Sequence, residues 1–112
     1  MKWHGGGGLA GISVSLTVYA DRTAQAETSG KTAGFTLTPR EWTRLTDRLR
    51  AARFRTLERR YAPEPIWPDS TADTVRYRGR EVTVWTGGEP PRRLTRLLRC
   101  IWRLHDRHEP SR

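Results

Sequence analysis

The stretch GISVSLTVYADRTAQAE, residues 11–27, decides the fold. Ile12, Val14, Leu16 and Val18 alternate with Ser13, Ser15, Thr17 and Tyr19, which is the period of a strand with one face in a core and one toward water. Asp21-Arg22 then reads as a turn, a position where Asp is common, and Thr23 to Glu27 return antiparallel. The polar TSGKTAG that follows, with its two glycines, reads as a loop.

Downstream of this hairpin, TPREWTRLTDRLRAARF carries a fully specified helix start. Thr38 is a natural N-cap, Pro39 suits the first helical position, and Glu41 completes the capping box by reaching back to the cap's own N–H. Trp42, Leu45, Leu49 and Ala52 recur at spacings of three and four, so they form one stripe facing the sheet, while Arg40, Arg44 and Arg48 line another face. Phe54 and Leu57 pack the helix end. The segment APEPIWPDS holds Pro63, Pro65 and Pro68, a density no helix survives, and is expected as a stiffened loop with Ile66 and Trp67 as its large apolar groups.

DTVRYRGREVTVWT reads as a second hairpin, with Val75 and Tyr77 before an Arg78-Gly79 turn and Val82 and Val84 after it. Pro90 or Pro91 starts the last helix, whose Leu94, Leu97, Leu98, Ile101, Trp102 and His105 make a wide apolar stripe that must be buried. The order ββαββα predicts an α+β, two-layer fold: a mostly antiparallel four-stranded sheet with two helices on one face. Residues 1–112 are expected to form a single domain, with residues 1–8 as a flexible glycine-rich lead and 106–112 as a frayed C-terminus.

At 112 residues the chain buries roughly two thirds of the surface its unfolded form exposes, enough for one modest core. Cys100 is the sole cysteine, so no intrachain disulfide can form and no oxidising compartment is implied. The first residues lack the apolar run of a signal peptide, and no segment stays apolar for the roughly 20 residues of a membrane span. A cytoplasmic, monomeric protein is the expectation.

The net charge of +9 would ordinarily point to a polyanion. Lys2 and Lys31 are the only lysines among 21 basic residues, and the arginines are scattered along the chain, a spread more like a GC-rich coding bias than a designed patch. Even so, Arg92, Arg96, Arg99, Arg103 and Arg107 form a stripe on the last helix that would track phosphates, and Trp85 with Arg76 and Arg78 would make a base-stacking platform. No nucleic-acid module is legible.

Catalytic chemistry is poorly represented. No nucleophile elbow, Walker loop or zinc-protease motif appears, so an enzyme is not expected. Cys100, His105 and His108 are the one combination from which a metal site can be built, but structural zinc sites show four ligands in tighter motifs, so no metal is expected and Cys100 reads as a small hydrophobe. The glycine run at Gly5–Gly11 has a sharper reading: without Cβ atoms it can lie flat in a narrow groove and offer its backbone for strand-like pairing, with Leu9 as an apolar anchor.

Three phrases together carry a family resemblance: GGGGLAGISVSLTVYADRTAQAE, FTLTPREWTRLTDRLRAARFRTLERRY and YRGREVTVWTGGEPPRRLTRLL. From about Gly6 to Leu104 the chain resembles the emfourin family of small proteinaceous inhibitors of thermolysin-like zinc metallopeptidases. The glycine-rich start of the first strand, the LTP-E-W--L helix start at Leu37–Leu45 and the RF--L---Y exit at Arg53–Tyr61 are distinctive in combination. The resemblance implies an intracellular inhibitor, without cofactor, that occupies the active-site cleft of its partner protease. Gly6, Gly7, Gly8, Leu9, Ala10 and Gly11 are the matching segment, and their chemistry assigns partner binding to them. Neighbouring PIWPD contributes Ile66 and Trp67 to the same expectation. The alternatives are a polyanion-binding module built on Arg92, Arg96, Arg99 and Arg103, or an interaction domain whose partner is not a protease.

Overall fold

A computed structural model describes residues 1–7, 12–67 and 70–108. Strands β1 (Lys2–Gly7), β2 (Ile12–Val18), β3 (Thr23–Thr28) and β4 (Lys31–Thr36) precede helix α1 (Pro39–Ala52). After a single 3₁₀ turn at Phe54–Thr56 come β5 (Arg60–Tyr61), β6 (Thr71–Tyr77), β7 (Arg80–Trp85) and helix α2 (Arg92–His108). The fold is α+β as expected, with one mostly antiparallel sheet and two helices. The sheet, however, has seven strands in the order β4-β3-β2-β1-β6-β7-β5, not four, and only the short β5 runs parallel to its neighbour.

Three strands account for the difference. The expected lead forms β1, at the centre of the sheet, paired antiparallel to both β2 and β6. It joins the two predicted hairpins, and Trp3 is the only large apolar side chain in its sequence. The presumed TSGKTAG loop is instead a tight turn plus edge strand β4: Ser29 and Gly30 take φ of 49° and 84°, the two positive values a type I′ hairpin turn requires. Arg78 and Gly79 repeat this device with φ of 50° and 76°. Between β2 and β3 the connection spans Ala20 to Arg22 rather than two residues: Tyr19 N–H donates to Thr23 C=O, Arg22 N–H to Tyr19 C=O, and Arg22 takes φ of 72°. Asp21 accepts from the N–H and hydroxyl of Thr23, which holds the turn.

Register aligns Ala33, Ala26, Leu16, Trp3, Val75 and Val82 in one row across six strands, and all but Ala33 in that row are buried. The opposite face carries Lys2, His4, Ser13, Gln25, Glu27 and Arg76 exposed to water, the one-sided pattern open to antiparallel sheets.

Both helices serve the apolar face. The capping box at α1 is present in full: Glu41 N–H donates to Thr38 Oγ1 at 3.1 Å and Thr38 N–H to Glu41 Oε1 at 2.9 Å. Leu45, Leu49 and Ala52 of α1 are buried, whereas Trp42 is only half-buried at the edge of the core. Helix α2 buries Leu94, Leu97, Leu98, Ile101, Leu104 and His105. It begins at Arg92, just after the prolines, and is helical to His108, which includes the first three residues of the expected frayed end; Glu109–Arg112 lie outside the described residues. The helices run antiparallel, because Arg93 at the start of α2 donates to Ala52 C=O at the end of α1, while Arg107 near the end of α2 reaches Glu41 at the start of α1. Opposed macrodipoles favour that arrangement.

Candidate functional site

Gly5, Gly6 and Gly7 are each required or used differently by β1. A Cβ on Gly5 would sit 2.6 Å from Trp3 Cζ2 and 3.0 Å from Asp73 Oδ1, so the missing side chain is what lets the Trp3 indole fold over the strand toward the Asp73 carboxylate. Gly6 has φ of 110°, a backbone state open to glycine and little else. Gly6 lies between Ser13 and Ala72, and Gly7 between Ile12 and Thr71. With a hydrogen-bonded strand on each side, Gly6 and Gly7 have no open edge for a partner to pair with, which corrects the expectation that they form a free backbone surface. Gly8, Leu9, Ala10 and Gly11, the rest of that expected site, lie outside the described residues.

The same end of the sheet gathers other features. Thr71, opposite Gly7, is hydrogen-bonded to Thr86 through both hydroxyls at 2.7 Å and backbone at 2.9 Å. These two threonines, with Pro63, Trp67, Ser70 and Gly87, line an open concavity of about 450 Å³. Trp67 is 64% exposed and Ile66 half-buried. Ser70 N–H donates to Trp67 C=O at 3.0 Å, and Pro63 packs against Gly87, so the loop bearing the indole is braced. Gly88 allows the loop after β7 to lie flat on Tyr61, since a Cβ there would meet the Tyr61 carbonyl oxygen at 2.5 Å. The Gly6–Gly7 end of β1 and the loop carrying Ile66 and Trp67 thus lie at one end of the sheet.

A second concentration of chemistry lies between the two helices. Arg40, Arg44 and Arg48 of α1 face Arg96, Arg99, Arg103 and Arg107 of α2 across a groove of about 620 Å³, floored by Cys100 and Leu104. Arg92 does not line it. Each arginine row is visible in the sequence by itself, at spacings of four along α1 and of three and four along α2, but nothing in the sequence joins them. Glu41 is the acid of this groove and is buried. Burial pushes its carboxyl up, but the Thr38 N–H, His108 and Arg107, the latter two at 3.0 Å, more than offset this and hold it below the ordinary glutamate value. His108 also stacks on Phe35 at 3.8 Å. Burial raises the Cys100 thiol, opposed by Arg44, Arg48 and Arg103.

The stacking platform is not assembled. Register sets Trp85 opposite Ala72, whereas Arg76 lies opposite Glu81 at the other end of the hairpin and Arg78 sits over the Tyr77 ring. Nor are Cys100, His105 and His108 brought together: His105 Nε2 engages Thr28 Oγ1 and Glu27 C=O, each at 3.1 Å, and His108 engages Glu41. Among the described residues no cluster of three or more His, Cys, Asp or Glu is placed to hold a metal ion, and no helix is long and apolar enough to cross a membrane. No protein family, curated protein or solved structure matches this chain.

Proposed function

We propose that this protein is an inhibitor that blocks the active-site cleft of a thermolysin-like zinc metallopeptidase with the β1–β2 end of its sheet. The observation that carries the reading is the convergence there of exposed Trp67 and the Gly6–Gly7 end of β1, with Thr71 common to both. A large aromatic on a braced loop is the kind of side chain that anchors an interface, and a rigid sheet beneath it limits the entropy lost on docking. Loops set on a fixed scaffold are where binding function concentrates. Gly6 and Gly7 contribute as the strand that launches residues 8–11, and Leu9 is the candidate anchor in the peptidase cleft. On this reading the protein acts as a cytoplasmic monomer with no cofactor and no chemistry of its own.

The test is inhibition of a panel of thermolysin-like peptidases by the purified protein and by Trp67→Ser and Leu9→Asp variants. Substrate-competitive inhibition that weakens at least tenfold in each variant is the expected result. Failure to inhibit any peptidase removes the function; undiminished inhibition by both variants removes this surface from it.

A further inference from the structure

We infer that the groove between α1 and α2 is a binding site for the phosphate backbone of a nucleic acid. Arg40, Arg44 and Arg48 recur every four residues, which sets successive guanidinium stems about 6 Å apart along α1. Arg96, Arg99 and Arg103 recur at three and four residues along the antiparallel α2, a rise of about 5–6 Å. Two facing rows with that spacing present charge at intervals comparable to those between successive phosphates on an extended strand, and each planar guanidinium can grip a phosphate with two N–H donors.

Charge neutralisation within the fold does not account for these side chains. The groove's carboxylate, Glu41, is already committed to Arg107, His108 and the Thr38 N–H. Among the described residues, none of the other six arginines lining the groove lies within salt-bridge distance of an acid. Facing like charges across a shared groove repel one another, and a bound polyanion relieves that repulsion while releasing its own counterions. The floor is Cys100 and Leu104, with no aromatic among the lining residues for bases to stack on. Recognition is therefore of phosphate and independent of base sequence. This inference stands apart from the inhibitor reading, which uses none of the residues lining the groove.

The test uses fluorescence anisotropy of labelled oligonucleotides against the intact protein and two charge-matched variants. One variant replaces Arg44, Arg48, Arg99 and Arg103 with Gln. The other replaces Arg55, Arg59, Arg76 and Arg78, which lie outside the groove, with Gln. The parent should lose affinity steeply between about 50 and 200 mM salt, and the groove variant should bind about a hundredfold more weakly with a flatter salt slope. The control should change far less. A further variant with Lys at the four groove positions keeps the salt slope, which separates lost charge from lost fold. Equal weakening in the two Gln variants would reduce the effect to net charge and overturn the site. Binding of inorganic polyphosphate or an acidic protein without binding of oligonucleotide overturns the assignment to nucleic acid.

Discussion

Trp3 donates its indole N–H to Asp73 Oδ1 at 3.1 Å, diagonally across the pairing of β1 with β6, and Trp102 of α2 donates to the same oxygen at 3.1 Å. The two indoles meet edge to face at 4.7 Å. One carboxylate thus fastens the central strand, its neighbour and the second helix where Trp3 is fully buried. Polar groups in such a place hold the fold only while all are satisfied.

Replacing Asp73 with Ala leaves two indole N–H groups in or near the core without an acceptor, at a cost of about 1–3 kcal/mol each. Asn keeps an acceptor and removes the charge. Burial raises the Asp73 carboxyl above the ordinary value of 3.8, opposed by its two indole donors. The folded state therefore holds its proton more tightly than the unfolded state, and Asp73 withdraws stability as pH rises through the interval just above 3.8. Relative to Asp73→Asn, the parent should lose melting temperature as pH rises across that interval, with Asp73→Ala the least stable at every pH. A parent-like pH profile in Asp73→Asn would assign the decline to another group.

The glycines of β1 should prove intolerant in a graded way. Gly5→Ala forces a methyl to within 2.6 Å of the fully buried Trp3 ring, which cannot swing away, and overpacking of this kind costs about 1–3 kcal/mol. Gly6→Ala is penalised by its φ of 110°. Gly34, by contrast, sits in edge strand β4 with only the Ala24 carbonyl near its missing Cβ, at 3.9 Å, so Gly34→Ala should be neutral or stabilise by up to about 1 kcal/mol. Denaturant unfolding of the three variants checks the order.

These glycines also explain what could be read beforehand. β2, β3, β6, β7 and both helices were legible because their apolar side chains keep strict periods and because the Thr38–Glu41 box marks a helix start without tertiary help. β1 was not, since Trp3 alone of its residues reports a core face and a strand whose identity lies in absent side chains has no period to detect. β4 hid behind Ser29-Gly30, whose turn chemistry resembles that of any loop, and it brings only Ala33 and Phe35 toward the core. β5 is two residues long and exists only because β7 is there to pair with. Of the sites, each arginine row was visible as a helix face, but their confrontation depends on the antiparallel docking of α1 against α2, which no local pattern encodes.

Glu41 ties the start of α1 to the end of α2, and its titration should register in stability. Its folded carboxyl lies below the ordinary value of 4.5, so the stabilisation is present above that value and is lost as pH falls through the folded one. Glu41→Gln should flatten the acid limb of the melting curve. Thr38→Ala removes the hydroxyl that caps Glu41 N–H and should cost about 1 kcal/mol at neutral pH. The double variant tests coupling: if the box acts as a unit, the two losses together fall short of their sum.

Trp67 should behave as a residue with no structural duty. At 64% exposure it buries little, so Trp67→Ser is expected to change the melting temperature by no more than surface substitutions do, within about 0.5 kcal/mol. Trp3 is fully buried and Trp42, Trp85 and Trp102 are half-buried, so acrylamide quenching should divide the emission into one readily quenched component and a protected remainder. The accessible component should vanish in Trp67→Ser. Adding a thermolysin-like peptidase inactivated by removal of its zinc, and thus unable to digest the protein, should shield that component if the indole enters the interface. Quenching that is unchanged on complex formation would place Trp67 outside the contact even where inhibition is observed, and would leave residues 8–11 as the segment that enters the cleft.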